Sequence, residues 1–118
     1  MQDNVHHMIE VGAQLRKGVV EYCVLGLLAA EPMYGWQISQ TLLSHQLIAS
    51  IGTLYPLLTR LRSRGLVSTY SQASQAGPSR RYYELTAEGR NELKTFRSQW
   101  SPFAEAVNEI VREDQPSD

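Results

Sequence analysis

The chain has 118 residues, 42% of them hydrophobic and 19% charged, with a formal net charge of −1. That is enough for one domain around a modest core, and too apolar for a disordered chain. The longest apolar run, Cys23 to Ala30, is too short to cross a membrane, "MQDNVHHMIE" lacks the basic start and apolar middle of a secretory signal, and a single cysteine, Cys23, excludes an internal disulfide and a thiol cluster for zinc.

In chain order, the first predicted helix runs from Leu15 to Ala30. Leu15, Val19, Tyr22 and Gly26 lie along one stripe, and Val20, Cys23, Val24, Leu27 and Leu28 widen it, so the helix is expected to be largely buried. "AEPMYG" ends it, because Pro32 disfavours helical geometry at Glu31. A second helix is expected from Tyr34 to Ser44, with Ile38 and Leu42 spaced by four from Tyr34. "HQLIAS" reads as a short extended piece. Ser50 or Thr53 then caps a third helix, whose apolar set is Ile51, Leu54, Leu58 and Leu61. With Thr53 as the cap, Pro56 falls at the third helical position, where its missing N–H is an orphan in any case. Gly65 ends this helix.

Leu66–Gln72 and Arg80–Thr86 read as two strands of a hairpin, with "ASQAGPS" turning between them. Thr86 caps a long last helix, with Glu88 near its positive end. Pro102 is expected to kink or restart that helix after Ser101. The expected fold is mainly α (α+β): a winged helix-turn-helix with a two-stranded wing and a long C-terminal dimerisation helix. Residues 1–88 are read as the DNA-binding domain with its N-terminal segment, and residues 89–118 as the dimerisation helix with an acidic tail.

Charge is unevenly spread. Residues 50–97 hold eight basic groups against three acidic ones, while residues 98–118 hold Arg112 against five acids. A basic middle between acidic ends suits a surface that meets phosphate on one side only.

"LRKGVVEYCVLGLLAAEPMYGWQI", "SIGTLYPLLTRLRSRGLV" and "GPSRRYYELTAEG" follow one another over roughly residues 14–90. Together they resemble the PadR family of bacterial transcriptional regulators, and the single helix after the wing looks like its small subfamily. The resemblance implies a ligand-responsive, usually repressing homodimer that binds a double-stranded DNA operator. It places the Tyr34-Gly35 pair near the DNA. Some members of that family bind planar aromatic compounds between paired tryptophans at the place of Trp100, so the resemblance allows such an effector here.

The outward face of the third helix holds Gly52, Thr53, Tyr55, Pro56, Thr59, Arg60 and Ser63, just after Ser50. Small polar groups allow close approach to base edges, and Arg60 can reach phosphate or guanine; the plain alternative is a solvated face. In the second wing strand Arg81, Tyr83 and Leu85 share one face and Arg80, Tyr82 and Glu84 the other. Tyr83 is expected to pack beneath the wing. Ser79, Arg80 and Arg81 are expected at the wing tip, against the DNA backbone or minor groove; the alternative is a charged edge that blocks sheet aggregation. Arg62 and Arg64 suit the negative end of the third helix. Tyr34 is either a packing residue or a phosphate contact at a helix start, and Trp36 is expected to pack.

Leu93, Phe96, Trp100, Phe103, Val107 and Ile110 alternate by three and four along the last helix, which is a dimer seam. The first helix, with Leu15 and Tyr22, is the surface expected against the partner. Trp100 is either dimer core or, with Leu15, Tyr22, Phe103 and Ala104, the lining of a cavity for a flat ligand. No catalytic constellation or cofactor loop is present in the sequence, so no enzyme and no cofactor is expected. His6 and His7 have no partners at metal-ligand spacing, so no metal site is expected. A cytoplasmic regulator without a membrane partner is the expectation; a winged helix used only for protein contacts is the alternative, and it has no need of a basic third helix and wing.

Overall fold

The computed structural model describes residues 11–113. His6, His7 and the last acidic residues, Asp114 and Asp118, lie outside the described residues. The elements are α1 (Val20–Ala30), β1 (Met33–Tyr34), α2 (Gly35–Ser44), a 3₁₀ turn (Ile51–Thr53), α3 (Leu54–Ser63), β2 (Val67–Ser74), β3 (Gly77–Leu85) and α4 (Ala87–Val111). The three strands form one antiparallel sheet in the order β1-β3-β2. This is a winged helix-turn-helix of the α+β class, as expected.

The expected first helix is broken. Residues 11–16 are helical, but residues 17–19 turn, with Gly18 at φ +82, and α1 starts only at Val20. A left-handed φ at Gly18 is open to glycine without steric cost and ends the earlier helical run. The buried stripe of α1 is Val20, Val24, Leu25 and Leu28, one position round from the expected one. Leu15 is left 71% exposed.

β1 was not expected. It pairs Met33 with Tyr83 and Tyr34 with Tyr82, and a two-residue strand between Pro32 and a helix leaves no periodic signal. Tyr34 is then the N-cap of α2, and its N–H donates to Gln37 Oε1 at 3.1 Å. "HQLIAS" is a turn rather than an extended piece. Gln46 takes φ +59, and the Leu47 and Gln46 amides donate to the Leu42 and Leu43 carbonyls at 2.8 and 3.0 Å, closing α2 with a Schellman motif.

Pro56 sits at the third position of α3, as expected. Neither Ser50 nor Thr53 caps with its side chain; the Thr53 hydroxyl donates to the Ser50 carbonyl at 2.8 Å, within the 3₁₀ turn. That tighter turn takes Ile51 off the α-helical stripe. Ile51 is exposed, and Leu54, Leu57, Leu58 and Leu61 are buried in its place. Gly65, at φ +77, closes α3 as expected, with the Leu66 amide donating to Leu61 O and the Gly65 amide to Arg62 O, each at 3.0 Å.

Both wing strands are longer than expected. Ser74 pairs with Gly77, so the tip is Gln75-Ala76 and Gly77-Pro78 are already strand; a register shift lies between Gln72 and Ser74. Thr86 caps α4 by accepting from the Gly89 amide at 3.0 Å, and its hydroxyl donates to the Gly65 carbonyl at 2.7 Å. A β-carbon on Gly89 would overlap the Leu66 carbonyl, so this close approach of α4 to the α3–β2 link requires glycine. α4 then runs through Pro102 as one continuous helix, so the restart expected after Ser101 does not occur. Pro102 removes one bond to the Ser98 carbonyl, and both residues are exposed, so water can serve that carbonyl. The core gathers Val24, Leu25, Ile38, Leu42, Leu54, Leu58 and Leu61 with Val67 and Tyr83 of the wing and Leu93 of α4.

Candidate nucleic-acid interface

With Leu54, Leu57, Leu58 and Leu61 buried, α3 turns Tyr55, Pro56, Thr59 and Ser63 outward. Ser50, Gly52 and Thr53 are exposed just before it, and Tyr55 is 49% exposed. Two clefts separate this helix from β3. One, of about 310 Å³, is lined by Leu58, Thr59, Arg62, Ser63, Arg81 and Tyr83. The other, of about 290 Å³, is lined by Tyr34, Gly35, Trp36, Tyr55, Arg80, Arg81 and Tyr83. They share Arg81 and Tyr83 and so make one channel along the α3–β3 seam. Tyr83 forms its floor; it is 7% exposed beneath the wing, as expected.

The walls are held by aromatic contacts. The Arg80 guanidinium lies 4.6 Å from the centre of the Tyr34 ring. Tyr34 meets the edge of Tyr82 at 5.5 Å, Tyr82 stacks on Tyr70 at 5.5 Å, and Tyr34 stacks on Trp36 at 6.3 Å. Gly35 lets Tyr55 cross the start of α2: an added β-carbon would come within 3.0 Å of the Tyr55 hydroxyl. Arg81 thus lines both clefts on the Tyr83 face of β3, with Thr59 and Ser63 of α3 in the first, while Arg80, over the Tyr34 ring, borders only the second.

Several residues stand elsewhere than the sequence suggests. Arg60 is turned back toward α1, with Nε 2.5 Å from Glu21 Oε1, because position 60 lies on the flank of α3 that faces α1. Arg64 does not serve the end of its own helix; it reaches Glu21 at 3.3 Å and Glu92 at 3.7 Å, tying α3 to α1 and α4. Arg62, expected at the helix end, lines the same cleft as Arg81. It is seven residues after Tyr55, on the same face of α3, and that spacing was the available signal. Ser79, Arg80 and Arg81 lie along β3, with Arg80 opposite Gln72 and Arg81 opposite Ser71, not at the tip. Trp36 does not pack into the core; it is 58% exposed.

On α4, Leu93 is buried within the chain's own core at 4% exposure, because the first turns of the helix are clamped against Leu66. Phe96 stacks on Tyr22 of the same chain, 4.3 Å between centroids and 6° between planes. The rings continue to Trp100 at 5.4 Å and to Phe103 at 6.4 Å. Phe103 and Ile110 are 62% and 84% exposed, Trp100 and Val107 are also exposed, and Ala104 is half-buried. The structure therefore joins Tyr22, Trp100 and Phe103 in one ring file, while Leu15 stands apart from the core on the segment before Gly18. The Tyr22 hydroxyl donates to Glu92 Oε2 at 3.3 Å, and its pKa is raised, first by burial and then by that carboxylate.

A helix-turn-helix whose third helix turns a polar face outward beside a cation-lined wing defines the winged-helix class of duplex-DNA readers. The chain belongs to the PadR-like family of transcriptional regulators, which matches residues 24–95. It is 31% identical to a PadR family regulator of Eggerthella lenta, with a TM-score of 0.78 and 96% of each chain covered. A PadR-like regulator of Bacillus cereus is 34% identical, with a TM-score of 0.76, over 86% of this chain and 99% of that one. A transcriptional regulator of Mycobacterium tuberculosis is 32% identical over 85% of this chain and 86% of its own length. The protein is a transcriptional regulator that binds DNA, not an enzyme. Among the described residues no helix is long and apolar enough to cross a membrane.

Proposed function

We propose that the protein is a homodimeric repressor that releases its operator when a flat aromatic ligand binds beside Trp100. α3 enters the major groove with Tyr55, Pro56 and the small groups at Ser50, Gly52 and Thr53 toward the base edges. The sugar–phosphate strand between the two grooves lies in the channel between α3 and β3. There Arg80, Arg81 and Arg62 meet phosphate, and Ser79 and Tyr34 border the same track. The observation that carries this reading is that channel: Arg81 of the wing strand and Arg62 of α3 line one cleft over the apolar Tyr83 floor, and Arg80 borders the adjoining cleft beside Tyr55.

Residues 1–88 do the reading and residues 89–118 the pairing, with the first turns of α4 serving both. Two recognition helices enter successive major grooves only if the dimer holds them about 34 Å apart. Phe96, Trp100, Phe103, Val107 and Ile110 of two chains, with Leu15 and Tyr22 alongside, set that spacing. A ligand wedged among Tyr22, Trp100, Phe103 and Ala104 would favour a different spacing, with a coupling of about 1–3 kcal/mol.

The test is selection of bound fragments from genomic DNA, then mobility shifts with the best fragment at several salt concentrations and in the presence of planar aromatic compounds. Salt-sensitive, fragment-specific binding that at least one compound reverses is expected. Absence of duplex binding would remove the DNA reading. Binding that no compound alters would leave Trp100 as dimer core.

A further inference from the structure

A cavity of about 430 Å³ shares no residue with the α3–β3 channel or with the aromatic file of α4. It opens between three pieces of chain: the helical run before Gly18 with the first residue of α1, the α2–α3 turn, and the start of α3. Its least accessible surface is aliphatic. Val20, Ile48 and Leu57 are buried and Leu47 is half-buried. Neither an aromatic ring nor an acid is among its lining residues. The cations there are Arg16, half-buried, and Lys17, exposed, so the positive charge stands nearer to water than the apolar wall. Thr53 borders the cavity too, but its hydroxyl proton is given to the Ser50 carbonyl at 2.8 Å. The groups left to fix a polar head are the two cations.

We propose that this cavity binds a medium-length aliphatic carboxylate, with its chain against Val20, Ile48 and Leu57 and its carboxylate at Arg16 and Lys17. Small-molecule sites have this make-up: a concave apolar surface with a few polar groups that set orientation. The lining selects each half of the ligand. An aliphatic wall offers a flat ring nothing to stack on, whereas a flexible alkyl chain can follow it and gain dispersion contacts along its length. A carboxylate is ionised at neutral pH and forms charge-assisted bonds with a guanidinium and an ammonium, while a cationic head would be repelled. The site goes beyond the Trp100 reading, because it is built within one chain. Two of its lining residues, Thr53 and Leu57, belong to the start of the recognition helix, so the occupant lies where α3 is anchored.

Titration calorimetry of the full chain with hexanoate, octanoate and decanoate, each below its micelle concentration, tests this. Affinity is expected to rise about fourfold per added methylene, the share of one buried CH₂. Decanol and decyltrimethylammonium carry the same chain without the negative charge, and both should bind several-fold more weakly than decanoate. Arg16→Gln combined with Lys17→Gln should remove the preference for decanoate and leave decanol unchanged. Ala49→Leu narrows the cavity from an exposed position, so lost decanoate binding with unaltered thermal unfolding is expected. Methyl NMR of the wild-type chain locates the ligand without any variant, with shifts expected at Val20, Ile48 and Leu57. Equal affinity for decanoate and decanol overturns the carboxylate. Naphthoate binding as tightly as decanoate overturns the alkyl chain. Flat affinity across the series, decanoate binding retained by Ala49→Leu, or methyl shifts confined to Val107 and Ile110 overturns the site. None of these measurements uses DNA, so their outcome is separate from that of the DNA reading.

Discussion

α3 and the outer half of α4 are both amphipathic, and they leave their apolar sides in opposite states. In α3 every residue of the stripe, Leu54, Leu57, Leu58 and Leu61, is buried within the chain. In α4 burial stops at Leu93, and beyond the half-buried Phe96 the stripe of Trp100, Phe103, Val107 and Ile110 faces outward. A helix whose apolar side is satisfied internally is free to use its polar side for recognition. A helix that carries an unsatisfied stripe past the edge of its domain needs a second surface. The same kind of pattern therefore means core in one helix and partner in the other, and the difference is set by how far each helix extends past the sheet.

Leu58→Ala tests the first half of that contrast and has the largest expected effect. It should lower stability by about 2–5 kcal/mol, read from urea unfolding, because a fully buried leucine leaves a cavity. Ile110→Ala should leave the stability of the isolated fold unchanged while weakening self-association. Equal destabilisation by the two would erase the contrast.

Next comes removal of residues 98–118, which keeps Leu93 and Phe96 but deletes the exposed stripe. Circular dichroism should still show the winged fold, and sedimentation at micromolar concentration should show a monomer. A persisting dimer would move the interface away from α4.

A smaller effect is expected within the DNA face. Arg81→Ala should reduce the salt slope of duplex binding by about 0.9 per protomer, the share of a single neutralised phosphate, and so by about 1.8 for the dimer. Arg60→Ala should change it less, because Glu21 already engages that guanidinium. The reverse order would place the phosphate track on the α1 side of α3.

The smallest effect concerns the joint between the two regions. Burial and Glu92 raise the Tyr22 pKa in the folded chain, so folding favours the neutral phenol. That contribution is fully present below the unfolded value of about 10 and disappears as pH rises through the folded value. Stability should fall above about pH 10 in the wild-type chain and less steeply in Tyr22→Phe. Parallel curves would mean that the Tyr22 phenol titrates alike in the folded and unfolded chain.

Much of this was legible because local chemistry announces it. Thr86 and Gly65 sit where a helix must start and stop, and Pro56 sits where a helix tolerates it. The channel was only half legible. Arg80 and Arg81 stood out as a pair in a basic segment, but their place along β3 depended on a two-residue turn at Gln75-Ala76 that the Gly77-Pro78 signal disguised. The exposure of Trp36 was not legible, because it depends on which side of Tyr34 the sheet takes, and β1 is too short to be seen in a single sequence.

By itself the sequence determined the order of elements, the leucine stripe at Leu54, Leu58 and Leu61, the caps at Thr86 and Gly65, and the family, because each follows from spacing or backbone preference within a few residues. Only the tertiary structure decided which charges were available and which were already engaged. Arg60 and Arg64 are drawn to Glu21, 39 and 43 residues away, while Arg62 and Arg81 line the same cleft. Pairing of that kind depends on where α1, α3 and β3 meet in space, and no local pattern along the chain encodes that meeting.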